Sequence, residues 1–405
     1  MSMYVFRQAT SMRFGALATT LLFMPDALAE SGRPLHRLRA DDSARDLSAL
    51  LERECRTQEL PALAAMVIEG DRISAQGVGG VRKQGDPTRA TLQDRWHLGS
   101  CTKAMTATMI AALVESKALK WDTTVEAALP DLGADMNAAY RKVTIEQLLG
   151  HRGGIRHEWD VPGLWDQLWR REGTPTEERR RMAKVMLAQE PKVKPGDYFY
   201  SNCGYGIAAL MAETLTGKAW EQLIRELVFE PLDMRSAGFG VPWDAVPPTD
   251  PWPHERDGKS VTPGPFADNP PSIAPGGTVH ATITDWAKFA LDHLRGDRGE
   301  SGTLFSFGTY QRLHRAQRTG PAADDYALGW IVVKRPWAKG DGPAATGRCL
   351  HHAGSNNSWY ALIWIAPERN LAILCTTNIG GDGIFPKIDH VMGALINDLS
   401  SRRHP

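Results

Sequence analysis

Residues 105–114 are an apolar stretch with the composition and length of a buried helix, and just before it stands Ser100-Cys101-Thr102-Lys103. Such a helix needs a core around it, and a chain of 405 residues is long enough to build one. Trp96-His97-Leu98-Gly99 reads as a short extended approach to it. Residues three apart share a helix face, so the Lys103 amine can take the proton of Ser100 while its oxygen attacks a carbonyl. The start of a helix also offers unpaired N–H groups and the positive end of the dipole, both favourable to developing negative charge. Ser100 is therefore a candidate covalent nucleophile. Alone the tetrad is weak support, because this composition gives about 0.6 such matches by chance. It needs partners.

Composition narrows the classes. An apolar content of 42% with 23% charged residues is ordinary for a soluble protein. The 47 basic and 47 acidic residues leave no net charge, so there is no electrostatic case for nucleic acid or an anionic membrane surface. Residues 1–29 are expected to be a secretory signal peptide, with Arg7 and Arg13 ahead of an apolar stretch at 14–24 and Ala27 and Ala29 before the cut. The stretch is too short to span a bilayer. The expected address is periplasmic or secreted, with no membrane span once the signal is removed. Cys55, Cys101, Cys203, Cys349 and Cys375 are odd in number and form no C-x-x-C pair, so mostly buried free thiols are expected. H-E-x-x-H is absent too, which leaves zinc without a motif; no metal or cofactor is expected.

Along the chain, helical spacing of Leu47, Leu50 and Leu51 predicts a helix over 43–55 with Ser43 as its cap, and 63–68 with 72–78 reads as a hairpin. Residues from about 122 to 235 read as mostly helical, with amphipathic stretches at 144–149, 206–215 and 218–228. Residues 242–275 hold 10 of the 26 prolines, too many for a central strand or a helix, and read as a functional wall or lid. A helix over 286–294, strands over 326–333, 359–366 and 371–377, and a closing helix over 384–399 complete the reading. The fold class expected is α/β (α+β): an antiparallel sheet flanked by helices. A sheet-plus-helix domain from 30–121 and 276–405 would enclose a mainly helical domain at 122–275.

Two further motifs stand in order behind the tetrad. Tyr200-Ser201-Asn202 follows the turn-like Lys194-Pro195-Gly196-Asp197 and precedes a helix; His352-Ala353-Gly354 precedes two strands. The order S-x-x-K, Y-x-N, K/H-x-G resembles the penicillin-recognising serine hydrolases, in particular the class C β-lactamase-like branch. Leu148-Leu149-Gly150-His151-Arg152-Gly153-Gly154-Ile155, Phe229-Glu230-Pro231-Leu232-Asp233-Met234, Pro275-Gly276-Gly277 and Tyr326-Ala327-Leu328-Gly329-Trp330 look like landmarks of that family in family order, over roughly residues 45–400.

The resemblance implies a β-lactamase/transpeptidase-like fold and a covalent acyl-enzyme. It implies Ser100 as nucleophile, Tyr200 as proton shuttle with Lys103 sharing the acylation step, and Asn202 hydrogen-bonding the substrate amide. His352, Gly354 and Ser355 would line the substrate site, with the backbone N–H groups of Ser100 and Ser355 as oxyanion hole. Which of Lys103 and Tyr200 takes the serine proton stays open. Free lysine and tyrosine titrate near 10.4 and 10, so enclosure has to move them toward use. Two departures weaken a β-lactamase reading: His352 stands where typical members carry lysine, and Ala353 where a hydroxyl commonly helps bind the β-lactam carboxylate. Near pH 7 the imidazole is expected to be charged only in part, with Arg348 as a possible substitute cation. The expected function is an exported serine hydrolase acting on an amide or ester: a D-Ala-D-Ala-type or D-amino-acid peptidase, or a carboxylesterase. The alternatives are a β-lactamase and a non-catalytic receptor for a peptidoglycan fragment or a β-lactam. The substrate expected is a small molecule or peptide, and no G-x-S-x-G exists to suggest an α/β-hydrolase elbow.

Overall fold

The computed structural model describes residue 38 and residues 44–242, 249–317 and 325–401. The expected signal peptide at 1–29 and the cap Ser43 lie outside the described residues. In chain order the strands and α-helices are β1 (Arg45–Asp46), α1 (Ser48–Gln58), β2 (Ala62–Glu69), β3 (Arg72–Gly80), β4 (Arg95–His97), α2 (Thr102–Glu115), α3 (Val125–Ala128), α4 (Ile145–Leu149), α5 (Leu164–Leu168), α6 (Pro175–Leu187), α7 (Asn202–Thr216) and α8 (Trp220–Ile224). They continue with β5 (Gly238–Phe239), β6 (Val279–Thr282), α9 (Ile283–Asp297), α10 (Phe307–Leu313), β7 (Asp325–Tyr326), β8 (Ile331–Lys334), β9 (Arg348–Ser355), β10 (Tyr360–Ala366), β11 (Leu371–Thr377) and α11 (Ile384–Ser400).

Eight strands form one sheet in the order β1-β3-β2-β11-β10-β9-β8-β7, antiparallel throughout except for the short parallel pair β1–β3. The central strands β10 and β11 are buried along their whole length, which is why their sequences read as unbroken apolar runs. One face, with Leu63, Val67, Leu362 and Ile373, packs under α1 and α11 through Leu51, Ile388 and Leu395. The other, with Met66, Ile363 and Leu374, packs on the elements that carry the site, through Met105, Met109 and Phe289. The same cluster continues into the helical segment at Leu148, Met182, Tyr205 and Trp220, so the described residues share a continuous core across α2. Every residue of α2 from Thr102 to Leu113 is buried, as its mostly apolar character requires.

Four expectations need correction. The first helix starts at Ser48, because residues 45–46 are held extended against β3 and the Leu47 N–H is taken by Gln76 O at 2.8 Å. The strand expected over 326–333 is the hairpin β7–β8, turned at Gly329 with φ +80. That turn sits so tightly on α2 that a Cβ at Gly329 would come within 2.5 Å of Ala104 Cα. The helix expected over 218–228 is α8 continued by a π-helical turn, Arg225–Phe229. Finally, His352-Ala353-Gly354 precedes β10 and β11 as expected but itself belongs to a further strand, β9, absent from the sequence reading. Among the described residues all five cysteines are free and buried, and no helix is long and apolar enough to cross a membrane.

Candidate active site

The turn carrying Ser100 is fixed from three sides. β4 pairs with β6, and the Leu98 N–H reaches Val279 O at 2.8 Å. Gly99 turns with φ +50 and donates its N–H to His97 Nδ1 at 3.1 Å, while His97 Nε2 meets Asp268 Oδ1 at 2.7 Å. On the third side lies β9. A Cβ on Gly99 would stand 2.3 Å from Ser355 N, and one on Gly354 would stand 2.0 Å from Leu98 O and 2.7 Å from Ser100 N. Only glycine fits at both positions. The close approach of these two backbones brings Ser100 and Ser355 side by side, the juxtaposition an oxyanion hole requires. Ser100 itself is half-buried in a 3-10 turn that leads into α2.

Lys103, one turn further on, is fully buried. Its ammonium has three donors, and three oxygens meet it: Ser100 Oγ at 3.1 Å, Asn202 Oδ1 at 2.8 Å and Gly276 O at 2.6 Å. Threonines of α2 place the last of these. Thr106 Oγ1 donates to Pro275 O at 2.7 Å and Thr102 Oγ1 accepts from Val279 N at 3.0 Å, pinning residues 275–279 along the helix. None of the three oxygens is charged. Burial therefore lowers the Lys103 pKa from its ordinary value to about 7, against smaller opposing contributions from Glu158 and Cys101. When neutral, the amine still donates to Asn202 Oδ1 and Gly276 O, which leaves its lone pair aimed at Ser100.

Tyr200 closes the other side. Its ring face lies 4.7 Å from Lys103 Nζ, and its hydroxyl shares a hydrogen bond with Ser100. Burial raises the phenol above its ordinary range, and the Ser100 bond only partly offsets this, so at neutral pH Tyr200 keeps its proton. Ser201 caps α7 by accepting from Gly204 N at 3.2 Å, and it ties that helix to the preceding loop by donating to Arg156 O at 3.0 Å. The cap puts Asn202 at the first position of α7, facing Lys103. Asn202 Nδ2 is also occupied, by Glu158 Oε1 at 3.3 Å, so contact with a substrate amide requires that bond to open.

His352 departs from expectation. Its Nδ1 donates to Ala353 O at 2.7 Å and its Nε2 accepts from the Tyr326 hydroxyl at 3.1 Å. Burial first, then the Lys103 charge, lowers its pKa to about 3. The ring is neutral at pH 7, not partly charged. Arg348 supplies no substitute, since it pairs with Asp297 at 2.5 Å and with His314 O at 3.0 Å. The structure thus brings Ser100, Lys103, Tyr200 and Asn202 into direct contact, sets Gly354 and Ser355 against the Ser100 turn, and places His352 behind them with both ring nitrogens in use.

Four residues had no role assigned from sequence. Gly276 and Tyr326 lie in stretches that resemble family landmarks, which was a signal in itself. His151, also in a landmark, packs its buried ring against Tyr200 at a tilt of 38°, with centroids 4.2 Å apart. Glu158 carried no signal: it is 1% exposed, with Oε2 accepting from Cys203 Sγ at 3.5 Å. Among the described residues no group of three or more His, Cys, Asp or Glu is placed to hold a metal ion.

Similarity to known proteins bears on the fold and the family. Penicillin-binding protein 4 of Amycolatopsis lactamdurans is 27% identical over 354 residues, covering 85% of this chain and 87% of its own. The unguisins hydrolase of Aspergillus campestris is 27% identical over 327 residues, covering 74% of this chain and 55% of its own. Among solved structures, a beta-lactamase from Sulfitobacter sp. EE-36 superposes with a TM-score of 0.67 at 20% identity, over 87% of this chain and 96% of its own. A D-stereospecific amidohydrolase from Streptomyces sp. does so with a TM-score of 0.64 at 22% identity, over 85% and 96%. At such identities these structures speak for the fold. The Beta-lactamase family model matches residues 45–392, most of the chain, and on that match the protein belongs to the Beta-lactamase family of serine hydrolases.

Proposed function

We propose that the protein is an exported serine hydrolase that cleaves an amide or ester through an acyl-Ser100 intermediate, with D-amino-acid or D-Ala-D-Ala-type peptides and small carboxylic esters as its substrate classes. One observation carries the reading: a buried amine titrating near neutrality lies 3.1 Å from Ser100 Oγ, with its other two partners fixed as acceptors. In the acylation step Lys103 Nζ takes the Ser100 proton as Oγ bonds to the carbonyl carbon. The resulting oxyanion lies toward the N–H groups of Ser100 and Ser355, each worth about 3 kcal/mol in comparable sites. As the carbonyl re-forms, the leaving group departs with a proton relayed from the Lys103 ammonium through the Tyr200 hydroxyl. Water then attacks the ester by the same path in reverse, restoring Ser100 and releasing the acid. Lys103 is the better acylation base because Tyr200 holds its proton more firmly than free tyrosine.

The choice of substrate class follows from what the site lacks. A neutral His352 and Ala353 offer no fixed cation or hydroxyl for a β-lactam carboxylate. The names of the relatives, a D-stereospecific amidohydrolase and a penicillin-binding protein among them, support amide chemistry. Export rests on the sequence of residues 1–29. The test is labelling with a fluorophosphonate followed by peptide mass mapping, alongside turnover of p-nitrophenyl esters, D-amino-acid anilides and nitrocefin. The adduct is expected on Ser100, and Ser100→Ala is expected to be silent. An adduct on another serine, or an active Ser100→Ala, refutes the reading.

A further inference from the structure

Among the described residues, Asn202 is the side chain besides Ser100 that is hydrogen-bonded to the Lys103 ammonium, and it can be so only as an acceptor, because a charged lysine only donates. An amide side chain has two nearly symmetric faces, so something must decide which atom is presented. Here Glu158 decides. A carboxylate accepts only, so Asn202 Nδ2 turns to Glu158 Oε1 at 3.3 Å and Oδ1 is left on Lys103 at 2.8 Å. The second oxygen of Glu158 is held by Cys203 Sγ at 3.5 Å, and the carboxylate is 1% exposed. Such burial is costly for a carboxylate without a cation, and its two hydrogen-bond partners are both uncharged.

We propose that Glu158 is the positioning residue of the site: through Asn202 it aims the Lys103 amine at Ser100, and its charge is the remote counter-ion that keeps this amine protonatable. The proposal rests on the reading of Ser100 as nucleophile and Lys103 as its base. The groups facing Lys103 are Cys101 from its own helix start, Tyr200 and Tyr205 from the α7 side, His151 and Glu158 from the loop that follows α4, and His352 from β9. Cys101, Tyr200 and Tyr205 are held neutral by burial, and the two histidines are likewise neutral at pH 7. Glu158 itself faces His157, whose pKa burial lowers, together with Cys203 and Asn202. Glu158 is thus the negative charge acting on Lys103 in this set, and it opposes the effect of burial.

The sign follows. Removing the charge while keeping an acceptor for Asn202 lets burial act unopposed, so Lys103 releases its proton at lower pH. Glu158→Gln does this, since its amide oxygen still accepts from Asn202 Nδ2. The measurement is the rate of Ser100 modification by a fluorophosphonate as a function of pH. In Glu158→Gln the limb governed by Lys103 is expected to move down by at least about half a pH unit, with the plateau rate within about threefold of wild type. Glu158→Asp keeps the charge, and its limb should stay within about 0.3 units of wild type. Glu158→Leu also frees Asn202 to rotate, and its plateau rate should fall about tenfold or more. A limb that stays put or moves up in Glu158→Gln overturns the proposal. A second readout needs no activity: in protein carrying 13Cε-lysine, the Lys103 resonance, assigned by its loss in Lys103→Met, should titrate at lower pH in Glu158→Gln. If wild-type Ser100 takes no label, the nucleophile reading fails on its own, and the lysine titration still decides for or against Glu158.

Discussion

Two cations among the described residues are fully buried, and they differ in every respect that matters. Arg179 on α6 is gripped by two carboxylates, Glu213 at 2.6 Å and Glu221 at 2.8 Å, and it also donates to Pro271 O at 3.1 Å. Burial works against its charge, but Glu213 and Glu221 more than offset that, and its pKa is raised. Lys103 meets only neutral oxygens, and burial brings its pKa down to about 7. A paired buried cation is a strut joining α6, α7 and α8. An unpaired one is a base in waiting. The two side chains suit these roles, since a guanidinium favours fork-like carboxylate pairing whereas an ammonium is readily deprotonated by its surroundings.

The largest expected effect tests the base. Lys103→Met removes the proton acceptor next to Ser100 and should lower kcat/KM for the best ester by about 10,000-fold, toward the upper end of what a positioned base contributes. Steady-state kinetics with Ser100 labelling as a control checks it; a loss below about tenfold would make Tyr200 the base. The counterpart, Arg179→Met, should leave kcat almost untouched in whatever fraction folds. It strands Glu213 and Glu221 and should cost about 4 kcal/mol in unfolding free energy. Denaturant melts read this directly, and a variant as stable as wild type would break the comparison from the other side.

What the sequence announced, and what it withheld, divides along the same line. Ser100 and Lys103 were legible because their relation is local, three residues apart where the 3-10 turn runs into α2. The hairpin β2–β3, the strands β10 and β11 and the helix α11 were legible because burial of whole faces writes itself into apolar patterning. β9 was not, since it carries Arg348, His351 and His352 with Gly354 and looks like a loop. Arg348 and His352 are tolerated in a strand because hydrogen bonds with Asp297, Tyr326 and the β9 backbone absorb their polarity. The role of Glu158 and the neutrality of His352 depend on which distant segments bury them. Local spacing cannot express that.

A smaller effect sharpens the comparison thermodynamically. Lys103 has an ordinary pKa of 10.5 and titrates at about 7 in the fold. Below pH 7 both folded and unfolded chains hold the proton, and the folded state bears the full cost of burying it. From about pH 7 to 10.5 the unfolded chain binds a proton that the folded chain does not, so stability attributable to this group rises with pH. Lys103→Met lacks the titration. Its stability relative to wild type should therefore be most favourable near pH 6 and decline by about 4 kcal/mol by pH 10. Urea melts at the two pH values give the difference. In the wild type Arg179 contributes no such titration across that range, because the guanidinium keeps its proton throughout.

The smallest effect concerns the second base facing the site. His352 is neutral, with both ring nitrogens committed to Ala353 O and the Tyr326 hydroxyl, and Ala353 beside it has no hydroxyl. A β-lactam carboxylate would meet no cation here, which predicts nitrocefin turnover well below that of esters or D-amino-acid anilides. Replacing both residues with Lys and Thr, as His352→Lys with Ala353→Thr, supplies a charge and a donor. A charge-assisted hydrogen bond is worth roughly 1.5–3 kcal/mol. The new lysine must share a buried site with the Lys103 charge, which already helps to push the His352 pKa down, so the lower end of that range applies. Nitrocefin kcat/KM should rise about tenfold, and most of the gain should appear in KM. Ala353→Thr alone acts at a half-buried position and adds no charge, so a rise of only about threefold is expected from it. A wild-type enzyme that already hydrolyses nitrocefin faster than its best ester would mean that the carboxylate is held by some other group, and that the neutrality of His352 does not set the substrate.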